Sequence, residues 1–483
     1  MPRPIEELRK ERLKKLEKIR KLGVNPYPSS YNRGHLIAKV RKLKLGSKVS
    51  VSGRIISLRC HGAITFADLR DETAKIQLLF LGDKLPATNL QLLTLLDIGD
   101  FLGASGKTFK TKAGELTVEV SDFTLLAKSL RPLPSKWHGL KDVEERYRKR
   151  YLDLILNPEI RERFNVVFKI VGSMRQFLLS EGYTEVLTPS LQPLYGGTLA
   201  RPFITRFNAL DADFYLRISN EMYLKRLIVG GYEKVFEFSV DFRNEGIDTT
   251  HNPEFLQMET MWAYADYKDN MELAERMFAA IAKNVLGTTK ITYQGKKINL
   301  NPPWRRIPMV KAVEKETKVD WTKVEDLKDA KAAAQKLGVD VRGKNLKGQI
   351  LEEIFDTLVR PTIIQPTLIC NYPRDIMPLA KTVEDDLEYT ENFEIFIAGM
   401  EFGLSYSEGN DPLLLRENFE AQAKLRREGQ LETHPIDEGF LEALEYGMPP
   451  TSGLGVGMER LLMLLTNTSS IREVMFFPAL RPK

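Results

Sequence analysis

Apolar side chains recur near helical spacing between residues 4 and 22 (Ile5, Leu8, Leu16, Ile19, Leu22) among lysines and arginines. Gly23 and the turn Asn25-Pro-Tyr-Pro28 close this segment, so an amphipathic basic helix is predicted. From about Lys48 the period changes to two. VSVSGRIIS, AITFADLRD, KIQLLFLG, DFLGASGKTFKT and ELTVEVSDFTLLA read as five short strands, with a helical NLQLLTLL before the fourth. That order fits a five-stranded OB barrel, a platform for single-stranded nucleic acid; some other small β-barrel fits the pattern as well. Residues 128–150 mix prolines with a charge run and read as a linker. Pro158 to Leu179 is a predicted helix, followed by EGYTEVLTPSL, a strand ending at Pro189.

The clearest alternation runs from Glu233 to Asp266. Phe236, Phe238, Val240 and Phe242 share one strand face, and Phe255, Gln257, Glu259 and Met261 share a face of the next strand. The polar stretch 244–253 between them makes a long antiparallel hairpin, with Arg243, Glu245 and His251 at its loop end. A guanidinium that binds phosphate by paired hydrogen bonds, beside an aromatic that stacks on a base, suits a nucleotide. An ordinary hairpin with a charged tip fits the spacing equally. Residues 290–365 read as helical and polar, and 366–411 return to strands. There FEIFIAGMEFGLSYSE holds Glu394, Glu401 and Glu408; a reversal at Ala398-Gly399 brings Glu394 and Glu401 roughly opposite each other. Paired carboxylates repel unless a cation lies between them, which is the case for Mg²⁺; surface glutamates on a hairpin are the plainer account. Near the end, Gly453, Gly455 and Gly457 precede a helix with Arg460 in its first turn, without the GxGxxG dinucleotide fingerprint. Gly106-Lys107-Thr108 is no P-loop, because Phe101 stands where the first glycine is needed; it reads as a strand turn.

Composition narrows the class. At 483 residues the chain is long enough for two or three domains, and 43% apolar with 28% charged residues is a globular balance that excludes disorder. Cys60 and Cys370 are far apart, which fits a reducing compartment, and no histidine lies near a cysteine at zinc-ligand spacing. No apolar run reaches membrane-spanning length and the N-terminus is charged, so a cytoplasmic protein is expected. Residues 1–50 carry fifteen Lys/Arg against four Asp/Glu, whereas the remainder is slightly acidic, 56 against 61. A basic end on a neutral body suggests a polyanion partner; a solvated helix face is the simpler alternative. A membrane-surface helix would look similar, but Trp and Phe are missing from the apolar face.

FRNEG, a short loop, HNPEF and then AYADY resemble motif 2 of the class II aminoacyl-tRNA synthetases, in their lysyl-tRNA synthetase branch. The helix and strand of about 165–190 resemble motif 1, and PPTSGLGVGMERLLMLL with the IREVMFFPALRP tail resembles motif 3. The resemblance implies an α+β chain: a basic helix and turn over 1–47, an OB anticodon-binding domain over 48–127, a linker over 128–150, and a catalytic domain over 151–483. That domain is an antiparallel sheet flanked by helices, with motif 2 at about 233–266, a helical insertion at about 300–365 and motif 3 at about 450–483. It further implies a homodimer that joins L-lysine to tRNA(Lys) using ATP and Mg²⁺. Arg243, Glu245, His251, Phe255 and Arg460 would serve ATP, and Glu394 and Glu401 the metal. Gly197, in a mobile glycine loop, would contact the amino acid. Glu221 would accept its α-ammonium, although a helix-capping carboxylate explains that placement too. Glu408, with Glu259 close by, would take the ε-ammonium, and Tyr406 would pack along the aliphatic stem. Arg59, Phe66 and Gln77 would hold an anticodon base, one stack contributing about 1–3 kcal/mol.

The chain departs from that family at three positions. Met261 stands where a tyrosine is usual, Leu404 where an asparagine is, and Met377 where a serine is. The lost hydroxyl would have bonded the ε-ammonium and the lost amide the substrate carboxylate, each by about 1–3 kcal/mol. Lysine remains the expected substrate, bound more weakly. A sister enzyme for aspartate or asparagine would want a cation in place of Glu408. A lysylating paralogue acting on a protein would lack the barrel. A non-enzymatic RNA-binding relative would have lost Arg243, Glu401 or Arg460, all present here.

Overall fold

The computed structural model describes residues 4–134, 140, 142–427 and 434–482, in two compact units, 1–141 and 142–483. In the first, α1 (Ile5–Lys21) and the single turn α2 (Ile37–Val40) precede β1 (Lys48–His61), β2 (Ile64–Arg70), β3 (Lys75–Leu81), α3 (Ala87–Leu93), β4 (Phe101–Lys110) and β5 (Leu116–Ala127). Strand β1 pairs with both β2 and β4, so the strands ring a shared core of alternate residues such as Val51, Ile55, Leu69, Leu78 and Leu102. The basic helix turns one arginine inward. Arg12 donates to the carbonyl oxygens of Ile98 (2.9 Å) and Ser129 (3.0 Å), while most of its other cations face solvent. Gly106-Lys107-Thr108 lies inside β4, not at a turn. A bulge there presses Gly106 onto the Glu119 carbonyl, where a Cβ has no room.

The second unit opens with α4 (Val143–Arg148), α5 (Arg150–Leu156) and α6 (Pro158–Ser180). Residues 143–148, counted with the linker on composition, are helical because Asp142 caps them, accepting from the Glu145 amide at 3.0 Å. Then follow β6 (Thr184–Glu185), β7 (Leu191–Gln192), β8 (Ile204–Phe207), β9 (Ala212–Leu216) and α7 (Glu221–Val229). The predicted hairpin is β10 (Lys234–Phe242) with β11 (Glu254–Ala263), leading into α8 (Tyr267–Leu286). Residues 290–308, expected to be helical, instead form the hairpin β12 (Lys290–Tyr293) and β13 (Lys296–Asn299) and the strand β14 (Arg305–Pro308). Their alternating ITY and KIN patterns are too short to stand out against the lysines around them. The insertion proper is α9 (Met309–Thr317), α10 (Leu327–Lys336) and α11 (Lys347–Ile354). Then come β15 (Thr367–Cys370), β16 (Thr382–Val383), β17 (Asp386–Thr390), β18 (Asn392–Ile397), β19 (Met400–Ser407), α12 (Pro412–Arg427), α13 (Glu438–Glu445), β20 (Thr451–Gly457) and α14 (Met458–Thr466).

Eight strands form one sheet in the order β14-β15-β18-β19-β20-β11-β10-β6, antiparallel except for the two outermost pairs. Its two faces differ. Met258, Leu454, Val456, Ile395 and Phe402 point to a core closed by α6, α8 and α14. The intervening residues of β11 and β20 (Gln257, Glu259, Met261; Gly453, Gly455, Gly457) point the other way, into an open cavity. One face holds the fold and the other is left for chemistry.

The C-terminal tail is tied to this unit by a buried arginine. Arg150 pairs with Asp153 at 2.6 Å and donates to the carbonyl oxygens of Arg472 (3.0 Å), Met475 (3.2 Å) and Phe476 (3.1 Å). Arg150→Met strands three carbonyls and leaves the Asp153 carboxylate to Arg146 and Asn157 alone, so urea denaturation should show a loss of ~2–4 kcal/mol. A loss under ~1 kcal/mol would mean that water replaces the guanidinium.

Candidate active site

A cavity of about 330 Å³ opens on the free face of the sheet. Its lining includes Gly197, Glu221, Arg243, Glu245, His251, Phe255, Glu259, Met261, Glu394, Glu401, Tyr406, Glu408 and Arg460, every predicted site residue of the second unit. The floor is glycine. Gly453 lies between Met261 and Tyr406 in the strand register, and Gly455 between Glu259 and Leu404. A Cβ on Gly453 would stand 2.5 Å from Glu408 Oε1 and 2.8 Å from Met261 Cε. The alternate glycines thus make the space that neighbouring side chains line.

At the inner end lies a buried ionic group. Lys225, 1% exposed, sits one helical turn after Glu221 on α7 and places its Nζ 2.5 Å from Glu221 Oε1 and 2.5 Å from Glu408 Oε2. The Tyr406 hydroxyl donates to the same Glu221 oxygen at 2.6 Å, so its polar end is engaged as well as its ring. Glu408 Oε1 has no hydrogen-bond partner among the described residues, although Glu408 is only 2% exposed. Burial pushes the Glu408 carboxyl up to about 8; Lys225 pulls against that and Glu221 adds to it. Glu259 accepts from Ser219 Oγ at 3.1 Å and from Gln257 Nε2. Burial, then Asp241 and Glu221, hold it well above the usual carboxylate range. Gly197 has φ +92°, and a Cβ there would stand 2.7 Å from Ser219 Oγ, so the loop approaches this group only as glycine.

At the mouth, the Arg243 guanidinium lies 5.0 Å over the Phe255 ring. His251 Nδ1 is 2.8 Å from Asp248 Oδ2, and its Nε2 is 3.1 Å from an Arg460 nitrogen. Arg460, in the first turn of α14, also holds Glu401 through the side chain (2.9 Å) and the carbonyl (2.8 Å). Glu245 lines the mouth in an exposed position.

Glu394 and Glu401 reach the cavity by a route the alternation does not predict. The chain reverses at Ala398 (φ 55°) and Gly399 (φ 83°), as expected. A bulge then leaves Phe402 unpaired, so Glu394 faces Leu404 and Glu401 faces Phe396. That extra residue puts Glu401 on the same face as Leu404, Tyr406 and Glu408. Arg460 holds the Glu401 carboxyl below its ordinary value against burial, whereas burial and Glu401 push Glu394 well above it. Two further carboxyls act on this pair: Glu352, half-buried and pushed up to about 7 by burial and then by Asp356, and Asp356 itself, which is exposed and pairs with Arg360 at 3.3 Å. Glu394, raised by burial and by its neighbour Glu401, would gain from a nearby cation, although among the described residues no group of three or more His, Cys, Asp or Glu is gathered as metal ligands.

In the barrel unit, Arg59 is directly opposite Phe66 and Gln77 directly opposite Asp68. Phe66 and Asp68 alternate with the buried Ala67, so all four side chains share the outer face. Arg59 is exposed, Phe66 is half-buried, and the Gln77 amide oxygen accepts from Thr117 at 2.9 Å.

Lys225, Ser219, Gln257 and Asp248 brace the site although no motif of the sequence singles them out, and the polar insertion gives no sign in its pattern that it supplies Glu352. Lys225 did carry a signal, since it follows Glu221 at the i,i+4 spacing of helical ion pairs. Met261 is buried at the inner end, and Leu404 lines the wall between Gly455 and Glu394. Among the described residues no helix is long and apolar enough to cross a membrane.

Two family models match the chain. One, described as tRNA synthetases class II (D, K and N), covers residues 142–481; the other, an OB-fold nucleic acid binding domain, covers 49–126. The lysine–tRNA ligase of Carboxydothermus hydrogenoformans is 48% identical over 482 residues, 99% of both chains. That of Moorella thermoacetica is 48% identical over 475 residues, 98% of this chain and 97% of its own. That of Bacillus cytotoxicus is 47% identical over 482 residues, 98% and 97%.

The carboxylate cluster gives the site a pH signature. Raised carboxyls favour the folded state when protonated, so their contribution is full at low pH. It is lost as the pH rises from the ordinary carboxyl range through about 7 for Glu352, and Glu394 acts in the same direction. In chelator, Tm is expected to fall between about pH 5 and 7.5, and Glu352→Gln to flatten the fall. Parallel declines in the two proteins would show that Glu352 is not strained.

Proposed function

We infer the activity from the family: this chain belongs to the class II tRNA synthetases (D, K and N), and we propose that it attaches L-lysine to tRNA(Lys) through a lysyl adenylate. The observation that carries this reading is Glu408, a buried carboxylate at the inner end of the cavity with one oxygen that has no partner among the described residues. A side chain ending in a cation satisfies that oxygen. A side chain ending in a carboxylate, as in aspartate, would add a third acidic group beside Glu221 and Glu408, which already share Lys225.

In the proposed first step a lysine carboxylate oxygen attacks the α-phosphorus of ATP in line, and pyrophosphate leaves. Glu221 holds the α-ammonium and Glu408 the ε-ammonium, with Gly197, Glu259, Met261 and Tyr406 shaping the space between. Arg243 neutralises charge on the phosphate as it develops, and Phe255 gives adenine a stacking face. Arg460, with His251 beside it and Glu245 at the mouth, meets the rest of the nucleotide. Glu394 and Glu401 would hold Mg²⁺, which supplies charge neutralisation to the phosphates when bound. In the second step the terminal ribose hydroxyl of tRNA attacks the acyl carbon and AMP leaves. No side-chain nucleophile is needed, so rate comes from positioning and electrostatics. Arg59, Phe66 and Gln77 would read an anticodon base on the barrel. A cytoplasmic homodimer belongs to the same proposal.

Exchange of pyrophosphate into ATP, measured with each of the twenty amino acids, should proceed with lysine alone. Glu408→Gln should lower kcat/KM for lysine roughly 30-fold or more, the equivalent of ~2 kcal/mol lost from a buried charged pair. Unchanged lysine activation in Glu408→Gln would remove Glu408 from the substrate site. Exchange with a different amino acid would show that Met261 and Leu404 have altered the preference.

A further inference from the structure

Lysine carries two ammonium groups, and the pocket already contains a third. Lys225 Nζ lies 2.5 Å from Glu221 Oε1 and 2.5 Å from Glu408 Oε2, and Lys225 is 1% exposed. We propose that Lys225 is a positioning and specificity residue, a fixed internal cation that occupies one oxygen of each glutamate and leaves each the other for one substrate ammonium. The inference rests on the lysine reading above and concerns how the pocket is matched to that substrate.

Charge and geometry support it together. With both glutamates ionised, two carboxylates and one ammonium leave a single negative charge, which lysine with its side chain protonated neutralises. Without Lys225 the two buried carboxylates would face each other unscreened, and one would take up a proton instead. The groups around them do not compensate. Tyr406 donates to Glu221, and Glu259 on β11 is itself a strained carboxyl. The buried His434 is held neutral, its pKa lowered to about 3 by burial and by Lys225. Lys225 is therefore what keeps Glu408 within reach of ionisation at working pH. Its ammonium is further steadied by the Tyr406 ring at 5.4 Å and the Phe440 ring at 5.9 Å. The remaining Glu408 oxygen points towards Gly453 and Met261, the end of the cavity where an ε-ammonium would arrive.

The test is the pH dependence of the lysine KM in pyrophosphate exchange between pH 7 and 9 for the wild type, Lys225→Met and Lys225→Gln. In the wild type, KM should fall with pH as Glu408 ionises. In both variants KM at pH 7.5 should rise by about tenfold for each unit that Glu408 moves up, and its fall should shift to higher pH. The KM for ATP and kcat should stay within about threefold, the scatter expected of an unrelated core change. Lys225→Arg, which keeps a cation, should retain the wild-type profile if it is accommodated. An unshifted lysine profile in a folded variant overturns the inference while leaving the lysine reading intact. So would equal damage to lysine KM, ATP KM and kcat, or failure of both neutral variants to fold, since either outcome makes Lys225 a structural residue only. Absence of lysine-dependent exchange in the wild type would instead remove the lysine reading itself.

Discussion

A buried charge must meet another charge, and the catalytic unit is arranged around that requirement. Its sheet presents one face to helices and the other to a cavity lined by Glu221, Glu259, Glu394, Glu401 and Glu408. Few of these carboxylates are left uncompensated. Arg460 answers Glu401, Lys225 answers Glu221 and Glu408, and Ser219 and Gln257 donate to Glu259. Among the described residues one oxygen of Glu408 stays unanswered and Glu394 stays raised, and these mark where the proposed substrate ammonium and cation would go. The pattern of compensation therefore describes the ligand in negative.

That arrangement depends on small backbone details. Alternate glycines on β20 open the floor between β11 and β19, and a one-residue bulge at Phe402 turns Glu401 towards Glu408. Remove either and the same side chains would be present without sharing a cavity. Positioning matters more than residue identity here, because the proposed chemistry uses no covalent intermediate on the protein.

Much of this was legible in the sequence. The period-two runs of the barrel and of β10 and β11 are long enough to stand out, and the glutamates, arginines and glycines that line the cavity are those the motifs suggested. The rest was hidden for physical reasons. A bulge leaves no mark in an alternation pattern until the register is known. Strands of four residues such as β12 to β14 carry too few positions to separate from helix. Lys225 sits beside Arg226 on a short mixed helix, and only burial distinguishes it from a solvated lysine. Glu352 comes from a segment whose polarity read as surface, yet it adds to the raising of Glu394, whereas Asp356 does lie exposed and pairs with Arg360.

A buried Glu408, raised by burial, recognises an ammonium by becoming ionised as it binds. Calorimetry of lysine binding at pH 7, in buffers of differing ionisation enthalpy, counts the protons released. Because the empty carboxyl is pushed up to about 8, lysine binding at pH 7 is expected to release protons. Binding with no release, or with proton uptake, would contradict it.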